Sequence, residues 1–181
     1  MCDDTLYSLA IDPCLLNLPG VTKLKYTLAK WVDVYPALED YDTTPASFQP
    51  VTLAADITFD TVTYTDATWH DIEIAIDQNK LASEIQGDRG SEYYVSTFEG
   101  FVPSSARLAH WMFDKIKRAQ VIYALQERNE QWRIFGSKAN PAYLYAGYDS
   151  GAAPGDKAGF NVTGGWSIHG TPAAFYDGVF S

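Results

Sequence analysis

A chain of 181 residues, 46% apolar and 14% aromatic, can bury one core or at most two small ones, and is too apolar for a disordered tract. Its formal net charge of −10 argues against nucleic-acid grooves as the main partner, because those need clustered Lys and Arg. Residues 1–100 hold 17 acids and 5 bases, a balance of −12, whereas residues 101–181 hold 6 acids and 8 bases, a balance of +2. That split suits head-to-tail contacts between copies, and it equally suits acidic loops that are merely solvated.

The N-terminus, "MCDDTLYSLAIDPC", opens with acids where a secretory signal needs a basic region, and no segment reaches the apolar length of a membrane span. Cys2 and Cys14 are the only cysteines, too few for a disulfide scaffold; free thiols in a reducing compartment are expected, with their pairing left open. The chain is therefore expected to be soluble, intracellular when made, and off the membrane. In "TKLKYTLAKW", Leu24, Tyr26 and Leu28 alternate with Lys23, Lys25 and Thr27, the pattern of a half-buried strand. Next comes a predicted loop over 36–50. The aromatic and β-branched stretch "ITFDTVTYT" fits a strand, as does "WHDIEIAIDQ", with Ile72, Ile74 and Ile76 inward and Asp71, Glu73 and Asp77 outward. A second long loop is predicted over 78–91, followed by the strand "SEYYVSTFEGF".

The one strong helix is predicted over about 104–118, with Ser104 as N-cap after Pro103. Leu108, Met112, Ile116 and Ala119, flanked by Ala109 and Phe113, form its apolar side. Arg107, His110, Asp114, Lys117 and Arg118 form the polar arc, into which Trp111 intrudes. Such an indole marks either a contact surface or a single exposed ring folded onto its neighbours. "QVIYALQE" and "QWRIFGS" read as a hairpin across "RNE". A third loop is predicted over 148–159, and "GFNVTGGWSIHG" as one or two strands broken at Gly164 and Gly165. No repeat or linker divides the chain, so a single domain over 1–181 is expected.

Catalytic chemistry is hard to find. His70, His110 and His169 stand apart, with no metal-ligand spacing, so no metal and no cofactor are expected. There is no nucleophile elbow or P-loop, and "GDRGSE" lacks the strand-to-helix context of a phosphate cradle. Asp71 and Glu73 share a strand face, as a glycosidase pair would, yet outward acids are ordinary solvation. The chain is read as non-enzymatic. Trp31, Trp69, Trp132 and Trp166 lie in or beside strands; in a flat exposed row they would stack on sugar rings, and otherwise they fill the core or seams between subunits. Trp132 alternates with Ile134 and should point inward with it. The triplet "NVT" at 161–163 would be glycosylated only in a secreted chain.

The element order is strands, long loops, one amphipathic helix, a hairpin and a glycine-punctuated close, and it resembles the tail tube proteins of tailed bacteriophages. "CLLNLPGVTKLKYTLAKWVDVYP" looks like the opening of small phage tail proteins, and "WRIFGSKANPAYLYAGYDSGAAPGDKAGFNV" is similar to their close. The resemblance implies a mainly β, α+β fold: an antiparallel β-sandwich or open barrel with one packed amphipathic helix. It implies a virion structural protein, assembled in the host cytoplasm, whose hexameric rings stack into a tube with other tail proteins as neighbours. DNA would pass through the lumen without specific binding, along an acidic lining for which Asp71, Glu73, Asp77, Glu92 and Glu99 are candidates. Arg107, Trp111, Lys115 and Arg118 are the candidate contacts between subunits, and the loops over 36–50 and 78–91 the candidate stacking arms. A tail terminator or neck adaptor is the alternative within that class; a carbohydrate-binding β-sandwich is the alternative outside it.

Overall fold

The computed structural model describes residues 20–36, 52–53, 55–153, 156–169 and 173–180. Cys2, Cys14 and nearly all of the predicted 36–50 loop lie outside them.

Among the described residues, ten strands and one α-helix follow in chain order: β1 (Val21–Leu28), β2 (Thr52–Leu53), β3 (His70–Ile72), β4 (Lys80–Gln86), β5 (Tyr93–Val102), α1 (Arg107–Ile116), β6 (Val121–Glu127), β7 (Trp132–Phe135), β8 (Tyr143–Asp149), β9 (Gly159–His169) and β10 (Phe175–Tyr176). They form a six-stranded sheet in the order β2-β10-β7-β6-β1-β3 and a four-stranded sheet in the order β4-β5-β9-β8. Every pairing is antiparallel except the short β10–β2 pair. The fold is mainly β with one helix, consistent with a β-sandwich of the α+β class.

Alternation along the strands builds the main core between the sheets. Leu24, Tyr123, Leu125 and Phe135 of the larger sheet meet Phe98, Leu144, Val162 and Trp166 of the smaller one, all buried. Phe113 and Ile116 of α1 join the same core. A second core covers the outer face of the six-stranded sheet, where Ile122, Ala124, Ile134 and Tyr176 of its strands pack under Val32, Ile57 and Trp69. That extra layer explains why Thr27, expected on a wet face, is fully buried. The expected hairpin forms across Arg128–Gln131, with Glu130 at a φ of 67° in the left-handed region. Trp132 packs with Ile134 on the second core, as its spacing predicts.

Several expectations are corrected. "WHDIEIAIDQ" is a strand only as far as Ile72; the chain then turns, leaving Ile76 50% exposed. Asn79 fixes that turn, donating from Nδ2 to the Val21, Ala75 and Ile76 carbonyls and accepting from the Val21 N–H. "ITFDTVTYT" is mostly turns, its Phe59 making an isolated bridge to Val32. Half of the predicted 78–91 loop is β4, paired with β5 from Lys80↔Glu99 to Gln86↔Tyr93. As an edge strand it is wet on both faces beyond Ala82, so it carries no apolar stripe to betray it. The 148–159 loop begins only after Asp149 and ends at Gly159, where β9 starts.

The helix starts at Arg107, not at 104. Ser104 Oγ accepts from the Ala106 N–H, a local turn that spends the capping oxygen early, and Ala106 takes the N-cap position without a side-chain cap. Finally, β9 is unbroken: Gly164 pairs Phe98 and Leu144, and Gly165 pairs Thr97 and Tyr143, with no slip in register. These glycines make room for tyrosines. A Cβ on Gly165 would lie 2.1 Å from the Tyr143 hydroxyl, and one on Gly164 would lie 3.0 Å from that of Tyr123.

Candidate interface beside the helix

Helix α1 closes one end of the sandwich. Burying Phe113 and Ile116 fixes its rotation, and His110 wedges against Tyr148 and Phe160, 4.6 and 4.8 Å between ring centroids. His110 stays exposed as the helical wheel expects while its ring touches the packing side, and, contrary to that expectation, Leu108 is turned out. The reason is geometric: the core lies under Phe113, Ile116 and Ala109, and the first helical turn overhangs it. Leu108 stands 72% and Trp111 61% exposed, side by side at a spacing of three residues.

Between this overhang and the C-terminal end of β1 runs an open groove of about 1260 Å³. Its floor is apolar and aromatic, from Tyr26, Leu28, Trp31, Met112 and Ile116; its rim is mostly cationic, from Lys30, Lys115 and Arg118, with Asp66 the acid among the lining residues. The aromatic floor is ordered by ring contacts: His70 lies 5.5 Å from Tyr26 and 5.7 Å from Trp31. The Lys115 ammonium sits 5.7 Å from the Trp111 ring centroid and that of Lys30 5.5 Å from Tyr64, so both cations are held over aromatic faces. Burial pushes the Tyr26 phenol above its ordinary range, keeping it neutral. Behind the rim, Asp114 is hydrogen-bonded to Lys117, which lowers its pKa below the usual carboxylate range. The groove offers desolvation, stacking and positive charge. It suits an apolar segment that carries acids.

The predicted contact residues thus partly converge. Trp111, Lys115 and Arg118 line one groove, while Arg107, at the first helical position, is exposed outside it. Their partners Tyr26, Lys30, Trp31 and His70 come from distant sequence, and no local pattern links them to the helix.

The predicted lining acids do not share a face. Asp71 on β3 pairs with Lys25, 2.7 Å, on the outer face of the six-stranded sheet. Asp77 sits in the turn after β3 and pairs with Arg128. Glu73 is exposed beyond β3, and Glu92 accepts from the Gly90 N–H in the β4–β5 loop. Glu99 alone lies on the outer face of the four-stranded sheet, opposite Lys80 and Thr163. Glu84, in register beside Val95, shares that face; the loop reading of 78–91 hid it.

That outer face also carries the stacked pair Tyr143 and Tyr145, 5.7 Å apart with planes 17° from parallel. Its sheet ends on two seven-residue strands, β4 and β8, neither of which has a further strand partner among the described residues. The tryptophans form no flat exposed row: Trp69 and Trp166 are buried, Trp132 packs on Phe180 and Trp31 lines the groove. Among the described residues, no group of three or more His, Cys, Asp or Glu is placed to hold a metal, and no helix is long and apolar enough to cross a membrane. Comparison with protein-family models, with curated proteins and with solved structures finds no match for this chain.

Proposed function

We propose that this chain is a self-assembling structural protein, a tail tube subunit of the kind its sequence resembles, which closes into rings through the edges of its four-stranded sheet. One observation carries the reading. The strands β4, β5, β9 and β8 alternate in direction, so β4 and β8 run opposite ways at the two free edges. A ring rotation keeps each strand's sense relative to the axis. The β8 edge of one copy therefore meets the β4 edge of the next in antiparallel fashion, and repetition yields one continuous closed sheet with no edge left. Ile85, 61% exposed near the far end of β4, supplies apolar surface for such a junction.

In this reading the outer face of the four-stranded sheet lines the lumen. Glu84, Glu99 and Thr163, with Lys80 beside Glu99, would then present a face with more acids than bases to passing DNA, which avoids the phosphate binding that a cationic wall would cause. Asp71 and Asp77, engaged with Lys25 and Arg128, would serve the subunit's own fold.

The test is negative-stain electron microscopy with light scattering on concentrated protein, wild type beside Ile85→Lys. Rings or hollow tubes are expected for the wild type and monomers for Ile85→Lys, with an unchanged melting temperature because Ile85 is exposed. A wild type that stays monomeric at every concentration would overturn the reading.

A further inference from the structure

The groove beside α1 and the point where the described chain begins lie at opposite ends of β1. Gly20, just before β1, accepts the Arg128 N–H at the far end of β6, whereas the groove starts at Tyr26 and Leu28. Residues 21–25 of β1 separate the two, roughly 20 Å from Gly20 to Tyr26. Residues 1–19 carry Asp3, Asp4 and Asp12, no Lys or Arg, and apolar side chains at Leu6, Leu9, Ile11, Leu15, Leu16 and Leu18. This is the chemistry the groove fits: apolar residues for its aromatic floor and acids for Lys30, Lys115 and Arg118. Residues 37–51 carry as many acids, Glu39, Asp40 and Asp42, but interrupt fewer large apolar residues with Pro45 and Pro50.

We propose that the groove seats residues 1–19 of a second copy, joining subunits head to tail along the β1 direction; this rests on the assembly reading above. Placing donor and acceptor at opposite ends of β1 makes the contact heterologous, and with the ring already closed through β4 and β8, its repetition along β1 builds a stack. Within one chain the same segment would have to double back along β1, whose flanks are taken by β6 and, over Leu24–Tyr26, by β3, and whose inner face is packed into the main core. Ring closure through β4 and β8 and stacking through the groove then use separate surfaces of the same subunit.

The test uses the full chain. In a Cys2→Ser variant, Cys14 is the only thiol and is labelled with a benzophenone maleimide. Equal amounts of labelled, isotopically light protein and unlabelled, heavy protein are assembled, irradiated and digested for mass spectrometry. Crosslinks from light Cys14 peptides to heavy peptides of residues 107–120 are the expected result. In parallel, the Lys115→Glu/Arg118→Glu variant should leave rings but raise the concentration needed for stacking at least tenfold, and Asp3→Lys/Asp4→Lys in the same chain should restore it. Crosslinks confined to one copy, or landing elsewhere while assemblies form, would overturn the groove assignment and leave the assembly reading standing. A wild type that never assembles would remove both.

Discussion

Replacing Trp111 by alanine separates a surface built for contact from one that merely happens to be wet. Trp111 is 61% exposed and covers little of the subunit's own core. A tryptophan carries roughly 250 Å² of surface, so about 150 Å² stands open, and burying it against a neighbour at ~25 cal/mol per Å² would contribute up to about 4 kcal/mol. Interface tryptophans commonly lose about 2–4 kcal/mol on truncation, which corresponds to a rise in critical concentration of about 30-fold to several hundred-fold. Inside the isolated subunit the change removes the ring under Lys115, an exposed contact of about 0.5–1 kcal/mol. The melting temperature of the dissociated subunit should therefore fall by no more than about 4 °C. Sedimentation across a dilution series gives the critical concentration, and differential scanning calorimetry below it gives the melting temperature. An unchanged critical concentration would refute the contact role. A fall of about 10 °C or more would show that the indole belongs to the fold.

Other substitutions probe the interior. The Tyr123 hydroxyl is buried without a hydrogen-bond partner among the described residues while its ring stacks 4.9 Å from Phe135, so Tyr123→Phe should keep the packing and gain about 1 kcal/mol, measured as a higher urea midpoint; a loss of stability would mean the hydroxyl is satisfied. Gly136 has a φ of 90°, and a Cβ there would lie 2.8 Å from the Ala142 nitrogen and 2.9 Å from the Val121 oxygen. Gly136→Ala should therefore cost about 3 kcal/mol, from left-handed strain and backbone overlap together, and thermal unfolding would read it. Burial raises the phenol pKa of Tyr26, Tyr35, Tyr123 and Tyr176 above 10.0. With folded values above unfolded ones, their contribution is complete below about pH 10 and falls as pH rises beyond it, so the tyrosinate absorbance of these four, the last part of the total, should appear together with unfolding. Tyrosinate growing in fully while the circular dichroism stays native would contradict that linkage.

Much of the architecture follows from local pattern. Alternation in "TKLKYTLAKW" and "SEYYVSTFEGF", the hairpin around Arg128–Gln131 and the helical spacing of Phe113 and Ile116 need only near neighbours, because period two and period 3.6 are set by backbone geometry. The class of fold, the single helix and Trp111 as an exposed indole were all legible in this way. What tertiary structure decided has long-range causes. β4 is a strand because β5 pairs with it, although beyond Ala82 its residues meet water on both faces. Thr27 is buried beside its β6 partner Ile122 on the face that Val32, Ile57 and Trp69, from other segments, help to cover. Gly164 and Gly165 continue a strand where local propensity favours a bend, since tyrosines from β6 and β8 need their space. The groove belongs to this second kind: Lys30 and Trp31 reach Trp111 and Lys115 only once β1 and α1 close one end of the sandwich. A side chain's face within its own element is a local matter, but which residues meet across elements is set by the packing of the whole chain.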